Sequence, residues 1–148
     1  MRRVAVVARV DFYILKQTGP ESRHSFACRL AEKAYRLDNR VHIHAGTRAD
    51  AERIDELLWT FRDGSFVPHH RSGLASPDLV SPVTVGCGDE AVEPCDLLIN
   101  LCEEIPAFAE AFPRVAELVS SDAECKQLSR KRFIEYRDKG HTLETHKV

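Results

Sequence analysis

The chain has 148 residues, 30% of them charged and 43% hydrophobic, with a formal net charge of −2. That length suffices for one domain with its own core, and the near-neutral balance excludes nucleic-acid binding through an overall basic field. No apolar run approaches the roughly 20 residues that span a bilayer, so a cytoplasmic location is expected.

The opening MRRVAVVARVDFYIL puts arginines before valines, but Arg9 and Asp11 interrupt the run and no clean cleavage site follows. It reads as a strand rather than a signal peptide. The run VDFYIL (10–15) is β-branched and aromatic, and a polar turn, KQTGPES, comes after it. Ser22 or Ser25 can cap a helix that continues through Leu37, since Phe26, Leu30 and Ala34 recur at i+4 beside Ala27, Ala31 and Tyr35. RLDNR then leads into a short strand, VHIH (41–44), and Thr47 or Asp50 starts a second helix, ADAERIDELLWTF. A long Gly/Pro/Ser/His segment, 62–81, reads as a surface loop of a length that compact domains seldom carry without function.

PVTVG (82–86) is a strand, and DLLINL (96–101) is apolar enough to be buried on both faces. A short helix near Pro106–Ala111 precedes RVAELVS (114–120), read as the last central strand. The final helix runs from about Asp122 to Lys139 and stops at Gly140, leaving 141–148 as a polar tail. Strand and helix alternate throughout. The order implies a single α/β domain, a three-layer sandwich with a largely parallel sheet and right-handed crossovers.

Such a sheet invites a nucleotide, so the phosphate loop must be sought. LKQTGPESRHS, after the first strand, contains neither GxGxxG nor GxxxxGK[ST], and GCGDE (86–90) places acids where a phosphate would sit. His42 and His44 share one strand face, a geometry able to ligate metal, but no HExxH or Cys pair completes a set and strand-edge histidines are the simpler reading. Five cysteines, Cys28, Cys87, Cys95, Cys102 and Cys125, lack CxxC spacing, which argues against a disulfide framework or zinc site. Glu103 and Glu104 follow a strand end where α/β enzymes place catalytic groups, although such a pair is more often simply a solvated loop. A Cys–His nucleophile pair has no local motif behind it. No metal, cofactor or catalytic residue is expected; a small nucleotide-binding or hydrolytic α/β enzyme is the alternative.

Two helices carry aromatics off their apolar stripes. At about 100° per residue, Ala51, Ile54, Leu57, Leu58 and Phe61 form the core sector of the second helix, and Trp59 lies about 140° from its centre. With Phe66 and Pro68 following in the loop, an exposed aromatic patch suited to a protein partner is expected, unless the loop folds back over Trp59. On the last helix the core side is set at Leu128, flanked by Cys125 and Tyr136. Lys126, Arg130, Phe133 and Arg137 then cluster opposite. A phenylalanine among cations can hold the apolar end of an acidic peptide whose carboxylates pair with Lys and Arg. Stacking on single-stranded nucleic acid is a weaker reading, with one aromatic and an acidic chain overall.

These blocks also resemble a known family. VDFYIL, RIDELLW followed by SFVPH, DLLINL and CKQLSRKRFIEYRDKGHTL are similar, in order and spacing, to the chi subunit of bacterial DNA polymerase III, from Val10 to about Thr145. MRRVAVVA precedes the usual start of the resemblance, as an N-terminal extension or a longer first strand. The resemblance implies a Rossmann-like fold without a working nucleotide site and a non-catalytic accessory role in the holoenzyme. It implies one surface for the psi subunit, which tethers chi to the clamp loader, and another for the acidic C-terminal tail of single-stranded DNA-binding protein. By alignment the psi side corresponds to Trp59, Phe66, Pro68 and His69, a surface that a repair helicase can use instead. The tail pocket corresponds to Val119, Lys126, Gln127 and Arg130, with Phe133 where the family can have tyrosine. Ile134 stands where a further lysine can occur, and Arg137 is the candidate to compensate for it.

Overall fold

The computed structural model describes residues 8–64, 66–72 and 81–148. Seven strands are described: β1 (Arg9–Ile14), β2 (Val41–Ala45), β3 (His69–Arg71), β4 (Val83–Cys87), β5 (Leu97–Asn100), β6 (Arg114–Val119) and β7 (Thr142–Lys147). Three helices accompany them: α1 (Pro20–Arg36), α2 (Arg48–Thr60) and α3 (Ala123–Asp138), with a short 3-10 helix at Ala107–Ala111. The strands form one sheet in the order β3-β4-β2-β5-β6-β1-β7, every pair parallel. The expected parallel α/β sandwich is therefore what the chain builds.

Side-chain alternation along the central strands explains the layers. Val41 and Ile43 of β2 join Val83 and Val85 of β4 under Ala27, Ala31, Ile54 and Leu58 of α1 and α2. Small residues along the buried line of α1 let that helix approach the sheet closely. On the other face Val10 and Phe12 of β1 pack with Leu98, Val115, Phe112 and Tyr136, beneath α3 and the 3-10 helix.

Two of the next three boundaries differ from the sequence reading and one agrees with it. The first helix does not wait for Ser22 or Ser25: Pro20, with its preset φ, opens α1, and Gly19 at φ 86° holds the cap position. Ser22 Oγ donates to the Gly19 carbonyl at 2.8 Å inside the first turn. The second helix does begin at Thr47, whose Oγ1 accepts from the Asp50 amide at 3.1 Å. The segment 62–81 is not loop alone, because His69–Arg71 pairs with β4 as an edge strand too short to show any period. Residues 73–80 of that segment, and residues 1–7 of the expected extension, lie outside the described residues.

The polar tail is corrected most. Residues 142–147 are β7, in register with β1 from Arg9↔Thr142 to Ile14↔Lys147, so β6 is a central strand but not the last one. TLETHK shows no apolar alternation because an edge strand needs only one ladder to hold it. Leu143 alone packs toward the core, while Glu144 pairs with Arg9 (3.0 Å) and His146 with Asp11 (2.8 Å).

Candidate protein-binding sites

The α2 exit and β3 build the aromatic patch. Arg62 reaches back to Glu32 of α1 at 3.2 Å, Val67 plugs the core, and Phe66 is turned outward. Trp59 is 55% exposed and Phe66 64%, with ring centroids 5.8 Å apart. The loop thus does not bury Trp59. His69, expected on the same surface, lies beneath it. Its side chain is 1% exposed, 4.6 Å below the Trp59 ring, and its two nitrogens face the carbonyls of Val67 (2.7 Å) and Asp55 (3.1 Å). Histidine is therefore the base that fixes Trp59 and Phe66 as a raised apolar pair, and Pro68 is half-buried beside it.

The second surface lies between α3 and the β1–β7 end of the sheet. Ser129, Arg132 and Tyr136 are the buried residues of α3, with Cys125, Leu128 and Phe133 on their flanks. Phe133 is thus not opposite the core. It turns inward to Phe12, centroids 5.3 Å apart. The helix rotates this way because Arg132 is drawn inside. Its Nε donates to Glu117 Oε1 at 3.0 Å, Nη1 to the Glu103 carbonyl at 2.7 Å and Nη2 to Ser129 Oγ at 3.0 Å. Tyr136 Oη (2.7 Å) and Asn100 Nδ2 (2.8 Å) donate to the other Glu117 oxygen. Burial pushes the Glu117 carboxyl above the usual carboxylate range, against the pull of Arg132, Asn100 and Tyr136.

That rotation opens a hollow of about 270 Å³. Phe12 and Ile14 of β1, Val119 of β6, Phe133 of α3 and Thr145 of β7 line it, and Lys126 and Arg130 stand at its wall with Ser129. Four residues of the expected tail pocket, Val119, Lys126, Arg130 and Phe133, meet here. Gln127 and Arg137 are exposed and not among the lining; Arg137 instead contacts Asp138 at 3.4 Å. Sequence alone missed Phe12, Ile14, Ser129 and Thr145. Their alternation toward the α3 face becomes legible only once β7 is known to be a strand beside β1.

Several positions weighed for enzyme chemistry have partners within the chain. At the α1 N-terminus, where such folds present amides to phosphate, the Gly19 amide donates to the Asp122 carboxylate at 3.0 Å. Hydrogen bonds from Ser120 and Gly19 hold that carboxyl below its usual range.

His42 and His44 are buried mid-sheet rather than at a strand edge. Because the Gly88 carbonyl only accepts, neutral rings order themselves in one way. Thr84 Oγ1 donates to His42 Nδ1 (2.6 Å), His42 Nε2 to His44 Nδ1 (3.0 Å), and His44 Nε2 to Gly88 (2.8 Å). Burial lowers His42 to about 3, with a smaller push from His44. Gly86 gives this relay room, since a Cβ there would stand 3.0 Å from His42 Cε1 and 2.6 Å from Ser72 Oγ. Burial also pushes the Cys28 thiol up to about 12 and Cys102 up to about 11, the reverse of an activated nucleophile.

Glu103 and Glu104 are exposed, as a solvated loop requires. Asp11, Glu144 and His146 offer ligand atoms within 4.8 Å of one another. Arg9 (3.2 Å), Arg114 (3.3 Å) and His146 (2.8 Å) already occupy the Asp11 carboxylate, so guanidinium groups stand where a cation would bind. No helix among the described residues is long and apolar enough to cross a membrane.

Fold and surfaces together define a Rossmann-like α/β sandwich with an exposed aromatic pair and a cation-walled apolar hollow, features of the protein-docking kind. A family described as "DNA polymerase III chi subunit, HolC" matches residues 7–144, and the chain belongs to that family. It is 41% identical over 142 residues to DNA polymerase III subunit chi of Pseudomonas aeruginosa, covering 96% of this chain and 98% of that one. Identity is 35% to the Haemophilus influenzae subunit (93% and 96% covered) and 32% to the Escherichia coli subunit (90% and 94%). The fold is shared more widely. The crystal structure of T4 UvsW matches with a TM-score of 0.67 at 10% identity, over 97% of this chain and 42% of that chain, a likeness of fold alone. A subunit of DNA polymerase III acts within an assembly, so protein partners follow from the family.

Proposed function

We propose that the protein is a non-catalytic adaptor of the replicative polymerase in the cytoplasm. Through the Trp59–Phe66 patch it binds psi and hence the clamp loader. Through the hollow beside α3 it binds the acidic, phenylalanine-ended tail of single-stranded DNA-binding protein. The observation that carries the tail reading is the pairing of Lys126 and Arg130 with an apolar floor of Phe12, Val119 and Phe133. An acidic peptide ending in phenylalanine needs both halves: a pocket for the ring and cations for the carboxylates. Arg137, outside the lining, contributes to tail binding only at longer range. The psi reading is supported by Trp59, a residue type frequent at interface hot spots, held outward on a rigid helix. A repair helicase would compete for the same patch.

The test is titration of a labelled acidic peptide ending in phenylalanine. Arg130→Ala is expected to weaken binding at least tenfold, and salt to weaken it in the wild type. Equal affinities would remove the hollow from the assignment. Anisotropy with bare oligonucleotide distinguishes tail binding from direct strand binding.

A further inference from the structure

β7 ends the sheet, and its hydrogen-bonding directions can be read from its two ends. The Thr142 amide donates to the Ala8 carbonyl at 3.1 Å and the Val148 amide to the Ile14 carbonyl at 3.1 Å. In a parallel ladder the residues that bond to one neighbour alternate, so Thr142, Glu144, His146 and Val148 face β1. Leu143, Thr145 and Lys147 then direct both their amides and carbonyls away from the sheet. Among the described residues no strand pairs with that edge.

The same three side chains lie on the α3 face. Thr145 lines the hollow and Leu143 packs toward the core beside it. Glu144, the only acid of β7, points to the opposite face, where Arg9 holds it at 3.0 Å. The edge therefore meets the hollow with no carboxylate of its own strand on that side. Lys147 comes two residues after Thr145 along the same strand, and Lys126 and Arg130 line the hollow.

We propose that the outer edge of β7 is a strand-docking edge. An extended acidic peptide seated in the hollow pairs along β7 as an eighth strand, bonded through the backbone of Leu143, Thr145 and Lys147. This deepens the tail-binding reading given above and rests on it. A strand added here lies about 4.8 Å from β7, so every second side chain overhangs Thr145 and can enter the hollow. Backbone pairing supplies part of the affinity, and the cations and the pocket supply the selection for acid and ring.

The experiment uses the whole protein and a nine-residue acidic peptide ending in phenylalanine, N-methylated at one backbone amide at a time. Tenfold or greater losses at alternate positions, with small effects between them, are expected. A flat or non-alternating series overturns the strand, and the hollow still stands if Arg130→Ala weakens the parent peptide. No binding of the parent peptide overturns both. A second comparison sets Thr145→Val against Thr145→Pro. Both lose the hydroxyl, but only the second removes an outward amide, and the β1 ladder keeps its partners in each. Weaker binding by the proline variant is expected, and equal affinity overturns the proposal. So does a stable dimer of the chain alone that Thr145→Pro dissociates, for then a second copy owns the edge.

Discussion

Arg132 Nε lies 3.0 Å from Glu117 Oε1, and both side chains are shut away from water between α3 and the sheet. The pair is the pin about which α3 is rotated, because Ser129, the Glu103 carbonyl, Asn100 and Tyr136 complete its hydrogen bonds. Arg132→Ala strands a buried carboxyl and should cost about 3–5 kcal/mol in urea unfolding. Replacing both members by apolar residues of similar volume should cost clearly less. Equal losses in the two variants would show that Arg132 acts through bulk, not charge.

Leu58 and Trp59 are neighbours on α2 with opposite fates, one buried against the sheet and one half in solvent. Leu58→Ala should lower stability by about 2–5 kcal/mol. Trp59→Ala should change it by roughly 1 kcal/mol or less, since it forfeits only surface contacts. If the patch binds psi, co-purification is lost in Trp59→Ala and in Phe66→Ala while the thermal midpoint barely moves. Full recovery of psi with both variants would discard the patch.

Phe133 is half-buried on Phe12 and forms one wall of the hollow. Phe133→Ala is expected to reduce stability by about 1–2 kcal/mol, less than full burial of the ring would imply. Its affinity for the acidic peptide should fall at least tenfold, and Phe133→Tyr should retain most of it. Calorimetric titration of the three proteins checks this.

His42 makes stability depend on pH in a defined direction. Folding lowers its value from the ordinary 6.5 to about 3, so the folded state binds fewer protons than the unfolded chain. Its contribution is therefore complete above pH 6.5 and is lost as pH falls toward 3. Between pH 6 and pH 4 wild type should lose stability more steeply than His42→Asn, by about 1 kcal/mol per pH unit. Parallel slopes in urea melts across that range would contradict the buried neutral relay.

Periodicity in the sequence identified β1, β2, β4, β5, β6 and all three helices because each buries a face, and burial imposes its period on the residue pattern. Angle alone assigns Leu57, Leu58 and Trp59 to their sides of α2, and the fold keeps them there. α3 resisted the same reasoning. Its inner line is Ser129–Arg132–Tyr136, and a polar residue signals the interior only when its partner, Glu117 on β6, is in view.

What the sequence determined by itself is therefore the alternation of elements, the core stripe of α2, the lack of a phosphate loop, and the cation-and-phenylalanine composition of α3. Tertiary structure alone decided that 142–147 is an edge strand, that His69 lies beneath Trp59, and that Phe12, Ile14 and Thr145 complete the hollow. The reason is the same in each case. An edge strand, a buried ion pair and a histidine packed under a tryptophan are stabilised by partners outside their own element, and such contacts leave no period in the local sequence.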